Sequence, residues 1–434
     1  MALGGGTFLT QNKILPGSYI NFVSAARASS TLSDRGYATM PLELDWGPDG
    51  EVFTVTATDF QRNAKKIFGY PYADDRLKGL RDLFLNINVL YAYRLNSGTK
   101  AACEYGTAKC SGVRGNDLTV VIQSDINTVG GYVVQTYLGT ALVEEQKATT
   151  AAELTDNDYI LWDTSATLTL TAGTALTGGA NGTVTGETHQ AYLDKIESFS
   201  YNAMGVVTTD ETLMAVYVSF CKRMRDEAGA KFQVVLRNQS ADYEGVVNLK
   251  NGTSDDGWSE ASLVYWATGA IAGCAVNASN TNKKYNGEFT VDAAYTQAQL
   301  ENAILSGEFV LHQVNSDIRV LTDINSLVTV TEDKGEVFKS NQTVRVVDQI
   351  ANDVASLFNT KYLGAIPNDA AGRTGLWSDI VQHHQKLQNL RAIEDFSDGD
   401  VTVEPGESKT VVVIADYITV VNTMEQIYMT VTVA

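Results

Sequence analysis

Residues 208–236, TTDETLMAVYVSFCKRMRDEAGAKFQVVL, combine a helix pattern and a strand pattern in one continuous stretch. Thr208 to Glu211 has the sequence of a capping box, in which the Thr208 hydroxyl bonds the Glu211 amide and Glu211 reaches back. The helix that follows ends at Gly229. Its buried side is predicted to carry Leu213, Tyr217, Phe220, Cys221 and Met224. Phe232 to Leu236 is then a strand without alternation, typical of burial on both faces. This order predicts an α/β layer fold.

The alternation of helix and strand continues through residues 191–330. Tyr192, Leu193 and Ile196 share a helix face, Thr296 to Gln299 repeats the capping signature, and Phe309 to Val314 is the next strand. We therefore predict an α/β core domain over residues 191–330. Residues 25–95, with a mixed pattern of strands and helices, form the N-terminal part of the same core.

Residues 96–190 differ in composition from both flanks. Thr, Gly, Ala and Val dominate, and alternating runs such as Asp117–Gln123 and Gly131–Leu138 are separated by Gly- and Thr-rich turns. This pattern predicts an all-β domain inserted into the mixed fold. Because such insertions occur at exposed loops, we expect this one to be peripheral and to face outward from an assembly.

Residues 331–416 predict a C-terminal α+β domain. Two amphipathic helices, Thr343–Tyr362 and Thr374–Phe396, precede strands at Asp400–Glu404 and Lys409–Ile414. His383 and His384 are adjacent on the second helix and about 100° apart, so they cannot hold one metal ion from one face. We interpret them as part of a solvated helix face.

Both ends of the chain predict extended arms, residues 1–24 and 417–434. The last strand, Glu425–Val433, alternates cleanly and has no following turn to pair it. Such a strand exposes its N–H and C=O groups and favours insertion into a neighbouring copy's sheet. The candidate inter-subunit contact residues are Tyr19, Ile20, Phe22, Ile427, Tyr428, Met429, Val431 and Val433. Pairing of the last strand within its own sheet is the alternative, and the sequence leaves both open.

The composition limits the classes of function. The 434 residues carry 32 Lys and Arg against 51 Asp and Glu, a formal net charge of −19. This balance argues against direct nucleic-acid binding and against an anionic membrane surface, because both need clustered basic residues. No secretory signal and no apolar run of ~18 residues is visible, so we predict no membrane insertion. The four cysteines match no zinc pattern and suit a reducing cytosol; a Cys103–Cys110 link is the alternative.

We find no motif that would carry catalysis. The sequence has no phosphate-binding loop, no dinucleotide fingerprint, no H-E-x-x-H and only four histidines. Acidic pairs such as Asp74-Asp75 and Asp255-Asp256 lack the spacing of a Ca²⁺ loop and the facing geometry of glycosidase carboxylates. We interpret them as turn or surface residues. The sequence therefore predicts no enzyme activity, no cofactor and no metal site.

Stretches near both termini resemble a known family. Gly4–Phe8 and Asn12–Phe22 are similar to the start of tail sheath proteins of contractile phage tails. Val344–Ile350, Phe358–Gly364 and Tyr428–Val431 are similar to the C-terminal part of the same family. The resemblance runs along the whole chain, although the insertion shares only composition. It is closest to the sheaths of prophage-like and R-type bacteriocin particles of Gram-positive bacteria.

The resemblance implies a structural subunit of a contractile machine. Sheath subunits form stacked hexameric rings around an inner tail tube, and their terminal arms add strands to adjacent subunits. The implied partners are further copies of the chain, the tube protein, and baseplate and terminator or collar proteins. Assembly is implied in the bacterial host cytoplasm, before the subunit becomes part of the released tail particle.

The family's α/β layer is implied to have a subtilisin-like topology. Such a protease needs His followed by Gly, and Gly-Thr-Ser at the nucleophile, and this chain has neither. Asp163-Thr164-Ser165 matches the aspartate motif of such a protease only in part, and it lies in the insertion. We expect the topology without proteolysis.

Two rival classes stay open at this point. One is a non-contractile structural lattice protein, such as a surface-layer or capsid component, and the missing signal peptide disfavours an exported layer. The other is a hydrolase whose catalytic residues converge only in space, which the scarcity of histidine disfavours.

Overall fold

A computed structural model describes residues 32–433. The described chain divides into two compact units. The core unit comprises residues 34–352 and 420–433, and the C-terminal unit comprises residues 353–419 with residues 32 and 33. The predicted N-terminal arm, residues 1–24, lies outside the described residues.

Twenty strands and eight α-helices occur among residues 32–433. In chain order the strands are β1 (Tyr37–Leu42), β2 (Val52–Thr56), β3 (Val89–Arg94), β4 (Ala102–Cys103), β5 (Gly106–Ala108), β6 (Leu118–Ser124), β7 (Tyr132–Leu138), β8 (Ala141–Ala148), β9 (Ile160–Trp162), β10 (Thr171–Ala175), β11 (Ala203–Gly205), β12 (Gln233–Arg237), β13 (Val246–Leu249), β14 (Glu308–Phe309), β15 (Leu311–Val314), β16 (Asp317–Val320), β17 (Ile393–Glu394), β18 (Val401–Pro405), β19 (Val412–Asp416) and β20 (Thr419–Val420). The helices are α1 (Ala57–Phe68), α2 (Lys78–Phe84), α3 (Gly186–Ile196), α4 (Glu211–Arg223), α5 (Val264–Gly273), α6 (Gln297–Leu305), α7 (Asn341–Leu357) and α8 (Ala370–Asn389).

A seven-stranded sheet, in the order β14-β13-β12-β11-β1-β3-β2, organises the core unit. Six strands are parallel, and β2 runs antiparallel to β3 at one edge. Successive residues of β12 point to opposite faces: Val235 joins the apolar cluster of α1, α2 and α5, whereas Val234 and Leu236 join the cluster of α3 and α4. The sheet is therefore covered on both faces, which confirms the predicted α/β layer.

The predicted capping box at Thr208 was wrong, although helix α4 forms as expected. Asp210 is the N-cap, and its carboxylate accepts the amides of Thr212 and Leu213 at 2.8 and 3.2 Å. The Thr208 hydroxyl instead accepts the amide of Asp210. A carboxylate satisfies two free amides and suits the positive end of the helix dipole, so it displaces the hydroxyl as the cap.

Helix α8 is displaced toward the N-terminus from its predicted span, Thr374–Phe396. Asp369 caps its start by accepting the amide of Gly372 at 2.8 Å. The helix ends at Asn389, shortly before Arg391, whose φ of 62° is incompatible with a continuing helix. The second predicted capping box, Thr296 to Gln299, is confirmed at α6.

The stretch from β4 to β10 is all-β, as its composition predicts. It forms two antiparallel sheets, β10-β6-β7-β8 and β4-β5-β9. The sheets enclose their own apolar core, which includes Leu118, Val120, Val134 and Ile160. Trp46, from the segment after β1, also packs into this core. Helix α3 begins at Gly186, ahead of the predicted boundary at residue 190.

The C-terminal unit combines α8 with an antiparallel hairpin of β18 and β19. The register runs from Val401 opposite Asp416 to Pro405 opposite Val412. The Trp377 indole N–H of α8 donates to the Val401 carbonyl at 3.0 Å and joins the helix to the hairpin.

No helix of residues 32–433 is both long and apolar enough to cross a membrane.

Candidate assembly interface

The C-terminal segment, residues 426–433, is exposed along its whole length. It contains no strand, so the predicted strand Glu425–Val433 is not formed within the described chain. The candidate contact residues here are 87% (Ile427), 89% (Tyr428), 76% (Met429), 70% (Val431) and 88% (Val433) exposed. A strand is defined by its ladder partner, and this segment has none among residues 32–433. Below, residues 426–433 are called the C-terminal arm.

An open sheet edge occurs in the C-terminal unit. The Tyr417 amide donates to the Asp400 carbonyl at 3.0 Å, and the Gly406 amide donates to the Val411 carbonyl at 2.8 Å. In an antiparallel pair, every second residue of a strand directs its N–H and C=O groups toward the partner strand. Because residues 411 and 417 bond to the β18 side, the N–H and C=O groups of residues 412, 414 and 416 point away from β18. Strand β19 has no second neighbour in the described chain, so this edge can accept another strand.

The remaining candidate contacts, Tyr19, Ile20 and Phe22, lie outside the described residues. Of the eight candidate residues, the structure therefore describes the five of the C-terminal arm, which lie in one continuous exposed stretch. The free edge of β19 was missed at the sequence level. The local sequence carries no signal for it, because an edge is open only through the absence of a neighbouring strand in the folded chain. In the structure Val411 and Val413 on this hairpin are apolar and 45% and 55% exposed.

The interpretation of His383 and His384 as solvated was wrong, since both side chains are buried. His383 Nε2 lies 2.9 Å from Asp353 Oδ2, and His384 Nε2 lies 2.9 Å from Asp416 Oδ2. His384 Nδ1 lies 3.0 Å from the Ile380 carbonyl oxygen, to which it must donate. The two histidines of α8 thus contact Asp353 in the last part of α7 and Asp416 at the end of β19. The signal was the helical spacing, since His384 follows Ile380 by four positions.

The cysteines and acidic pairs have no reactive arrangement. All four cysteines are free, and burial raises the pKa of Cys110 to about 11 and that of Cys221 to about 12, which disfavours the nucleophilic thiolate. Asp255 is not a simple surface residue, because it lies 2.6 Å from Lys78 Nζ. Its burial opposes ionisation, but hydrogen bonds from Lys78 and Thr253 prevail and lower its pKa to about 2. No cluster able to hold a metal ion occurs within residues 32–433.

A cleft of about 740 Å³ lies beyond the carboxyl ends of β1, β3 and β11, where open α/β sheets usually bind ligands. His189 lines it, with Nδ1 2.7 Å from the Tyr217 hydroxyl, and burial lowers the pKa of His189. The buried Ser262 hydroxyl, also at the cleft, has no hydrogen-bond partner. In this structure His189 and Ser262 therefore form no hydrogen bond with each other.

Four domain models of tail sheath proteins match consecutive parts of the chain. They are the tail sheath protein Gp18 domain III N-terminal region (35–95), the phage tail sheath protein beta-sandwich domain (96–181), the phage tail sheath protein central domain (182–326) and the phage tail sheath C-terminal domain (333–434). The phage-like element PBSX protein XkdK of Bacillus subtilis is 30% identical, over 99% of this chain and 100% of the relative.

The chain belongs to the contractile phage tail sheath family. Solved structures agree with this assignment. The sheath tail protein of Desulfitobacterium hafniense is 36% identical, with a TM-score of 0.80 over 95% of this chain and 99% of that one. The sheath tail protein Lin1278 of Listeria innocua is 29% identical, with a TM-score of 0.81 over 91% and 93%.

The fold extends to a more distant sheath. A helical sheath of the anti-feeding prophage, solved in its contracted state, is 13% identical, with a TM-score of 0.55 over 96% of this chain and 98% of that one. At this identity the likeness concerns the fold alone. The multidomain mixed α/β architecture of the family, including its β-sandwich, is thus the architecture of this chain.

Proposed function

We propose that this chain is a structural, non-enzymatic sheath subunit that assembles as stacked hexameric rings around an inner tail tube and contracts to drive the tube through a target cell envelope. The observation that carries the proposal is an exposed, alternating C-terminal arm on a chain whose β19 edge is unpaired among the described residues. Each subunit thus has a strand to donate and an edge to receive one.

Strand exchange suits a machine that changes shape. Backbone hydrogen bonds between an arm and an edge depend little on side-chain packing, so neighbouring subunits stay linked while their other surfaces repack. Repacking between two discrete arrangements would supply the free energy of contraction. The sheath of the anti-feeding prophage, which shares this fold, was solved in a contracted state.

The partners follow from the same proposal. They are other copies of the chain, the inner tube protein, and baseplate and terminator or collar proteins, with assembly in the bacterial host cytoplasm before incorporation into the released tail particle. Residues 1–24 would act as a second arm through Tyr19, Ile20 and Phe22. The predicted domain boundaries and the subtilisin-like topology stay predictions, and the run of six parallel strands in the core sheet supports the latter.

Electron microscopy of the purified full-length protein tests the proposal. We expect hollow tubes of stacked six-fold rings, because each subunit can both donate and accept a strand. Flat lattices would favour a non-contractile layer protein. Reproducible peptidase or glycosidase turnover, abolished by a point substitution in the cleft at His189, would favour a hydrolase instead.

A further inference from the structure

The segment just before the C-terminal arm, residues 421–425, is held in the core unit by side-chain hydrogen bonds. Gln342, near the start of α7, is buried, and its carboxamide reaches the backbone at two points. Its Nε2 donates to the Val421 carbonyl at 3.0 Å, and its Oε1 accepts the Thr423 amide at 3.0 Å. One side-chain amide thereby satisfies a carbonyl and an N–H of residues 421–423, as a backbone peptide group could.

A second attachment lies two residues further on. The Glu425 carboxylate accepts the Thr281 hydroxyl on Oε1 at 2.7 Å and the Thr322 hydroxyl on Oε2 at 2.9 Å. Both oxygens are therefore used, and each bond is assisted by the charge. Thr281 comes from the loop after α5 and Thr322 from the segment after β16, so the carboxylate bridges two separate parts of the core unit.

The Thr281 hydroxyl is supported from behind by buried polar groups of the core unit. Thr281 Oγ1 also accepts the Asp323 amide at 2.9 Å. The Asp323 carboxylate in turn accepts the Asn280 amide at 2.8 Å and Arg345 Nη2 at 3.1 Å. Asp323 and Arg345 are each 2% exposed. The receiving hydroxyl is thus held by a network of charged groups inside the core unit.

The attachment stops abruptly at Glu425. From Gln426 on, the hydrogen bond found among the described residues is internal to the arm, from the Tyr428 hydroxyl to Gln426 Oε1 at 3.0 Å. The boundary between the held root, residues 421–425, and the free arm, residues 426–433, therefore falls between two consecutive residues.

We propose that Gln342, Thr281 and Thr322 form a clamp that sets where the C-terminal arm leaves the subunit and which residue begins the exchanged strand. The inference rests on the proposed strand exchange and adds positioning residues to it. Register matters because a shift of one residue turns the apolar face of Ile427, Met429 and Val431 to the opposite side of the receiving sheet. A fixed root would also limit the volume the arm searches and raise its effective concentration at a neighbouring edge.

The test uses the full-length chain with Glu425→Ala on the arm side and Thr322→Val on the core side. Hydrogen exchange, followed by mass spectrometry on unassembled protein, should be about threefold to tenfold faster over residues 421–425 in each variant, as expected for the loss of a hydrogen bond of ordinary strength. Strand β12 should exchange as in the wild type. Glu407→Ala, an exposed acidic residue of the β18–β19 turn, is the matched control and should change neither region.

Two further readouts separate positioning from general destabilisation. The double variant should exchange no faster at residues 421–425 than Glu425→Ala alone, because both changes remove the same contact. In assembly, both single variants should yield fewer or irregular tubes, whereas Glu407→Ala should assemble normally. Unchanged exchange at residues 421–425, additive effects, or normal tubes despite faster exchange would each overturn the clamp. A wild-type protein that forms no tubes would instead count against the proposed function, since the exchange experiment does not depend on assembly.

Discussion

Ending the chain after Glu425 removes the C-terminal arm and keeps its clamped root. Within the described residues the arm makes no hydrogen bond to the rest of the chain, and its five large apolar side chains are 70–89% exposed. Its removal should therefore change the free energy of unfolding of the isolated subunit by less than ~0.5 kcal/mol. The truncated protein should be a folded monomer.

The same truncation should abolish assembly, because the arm's contribution there is much larger. The β19 edge offers the N–H and C=O groups of three residues, or up to about six hydrogen bonds at ~1 kcal/mol net each. Half-burying the four aliphatic side chains of one arm face adds ~1 kcal/mol for each. Ordering the arm costs ~1 kcal/mol per residue, so one joint gains only a few kcal/mol. A sheath built from such joints depends on their number, and removing them all leaves too little to hold rings together.

Thermal unfolding, sedimentation velocity and electron microscopy measure the two effects separately. We expect a melting temperature within about 2 °C of the wild type, a monomeric sedimentation coefficient and no tubes. A chain that ends after Asn422, which also lacks the Thr423 and Glu425 contacts of the clamp, serves as the comparison. Normal tubes from the chain ending at Glu425 would refute arm exchange. A melting temperature lowered by more than about 5 °C would show that the segment belongs to the subunit's own fold.

Three other predictions address single positions. Met429→Pro and Thr430→Pro should differ in tube formation by electron microscopy, because an arm on a sheet edge uses the N–H groups of alternate residues; normal tubes from both would contradict edge pairing. Gly273→Ala should lower the free energy of unfolding by about 2 kcal/mol or more in urea denaturation, since its Cβ would lie 1.7 Å from the Asn86 carbonyl oxygen. Gly186→Ala is the control, because a Cβ added at this helix start meets open space, and it should leave the free energy of unfolding unchanged or raise it. Equal effects of Gly273→Ala and Gly186→Ala would argue against close packing of α5 on Asn86. Burial raises the pKa of Asp82 to about 6, above the ~3.9 of an unfolded chain. The native state therefore binds the proton more tightly than the unfolded state does. The free energy of unfolding should accordingly fall as pH rises from about 4 to 6. Asp82→Asn should flatten that slope in urea denaturation at stepped pH, and an unchanged slope would assign it to other groups.

Local patterns predicted the elements wherever burial and period coincide. The strand at Phe232–Leu236 was predicted from a run without polar–apolar alternation, and the helix before it from a 3.6-residue period; both formed. The helix ends were less predictable because several residues compete to cap one helix. At α4, Asp210 displaced Thr208, and the choice depends on the geometry of two amides.

The buried histidines show a second limit. Neighbouring polar residues on a helix suggest a solvated face, but His383 and His384 each found a carboxylate from a distant part of the chain, Asp353 and Asp416. A polar side chain can be buried when its hydrogen bonds are satisfied, and whether they are depends on partners 30 or more positions away.

The α/β class, the β-rich insertion and the alternating C-terminal arm were predictable from sequence, since each is recorded in the period and composition of a continuous stretch. The folded chain was needed to show that hydrogen bonds hold the segment up to Glu425 and that β19 has an open edge within the described residues. Those features are relations between residues far apart in the chain. A hydrogen bond has a partner and a sheet edge lacks one only once the chain has folded, and local sequence records neither.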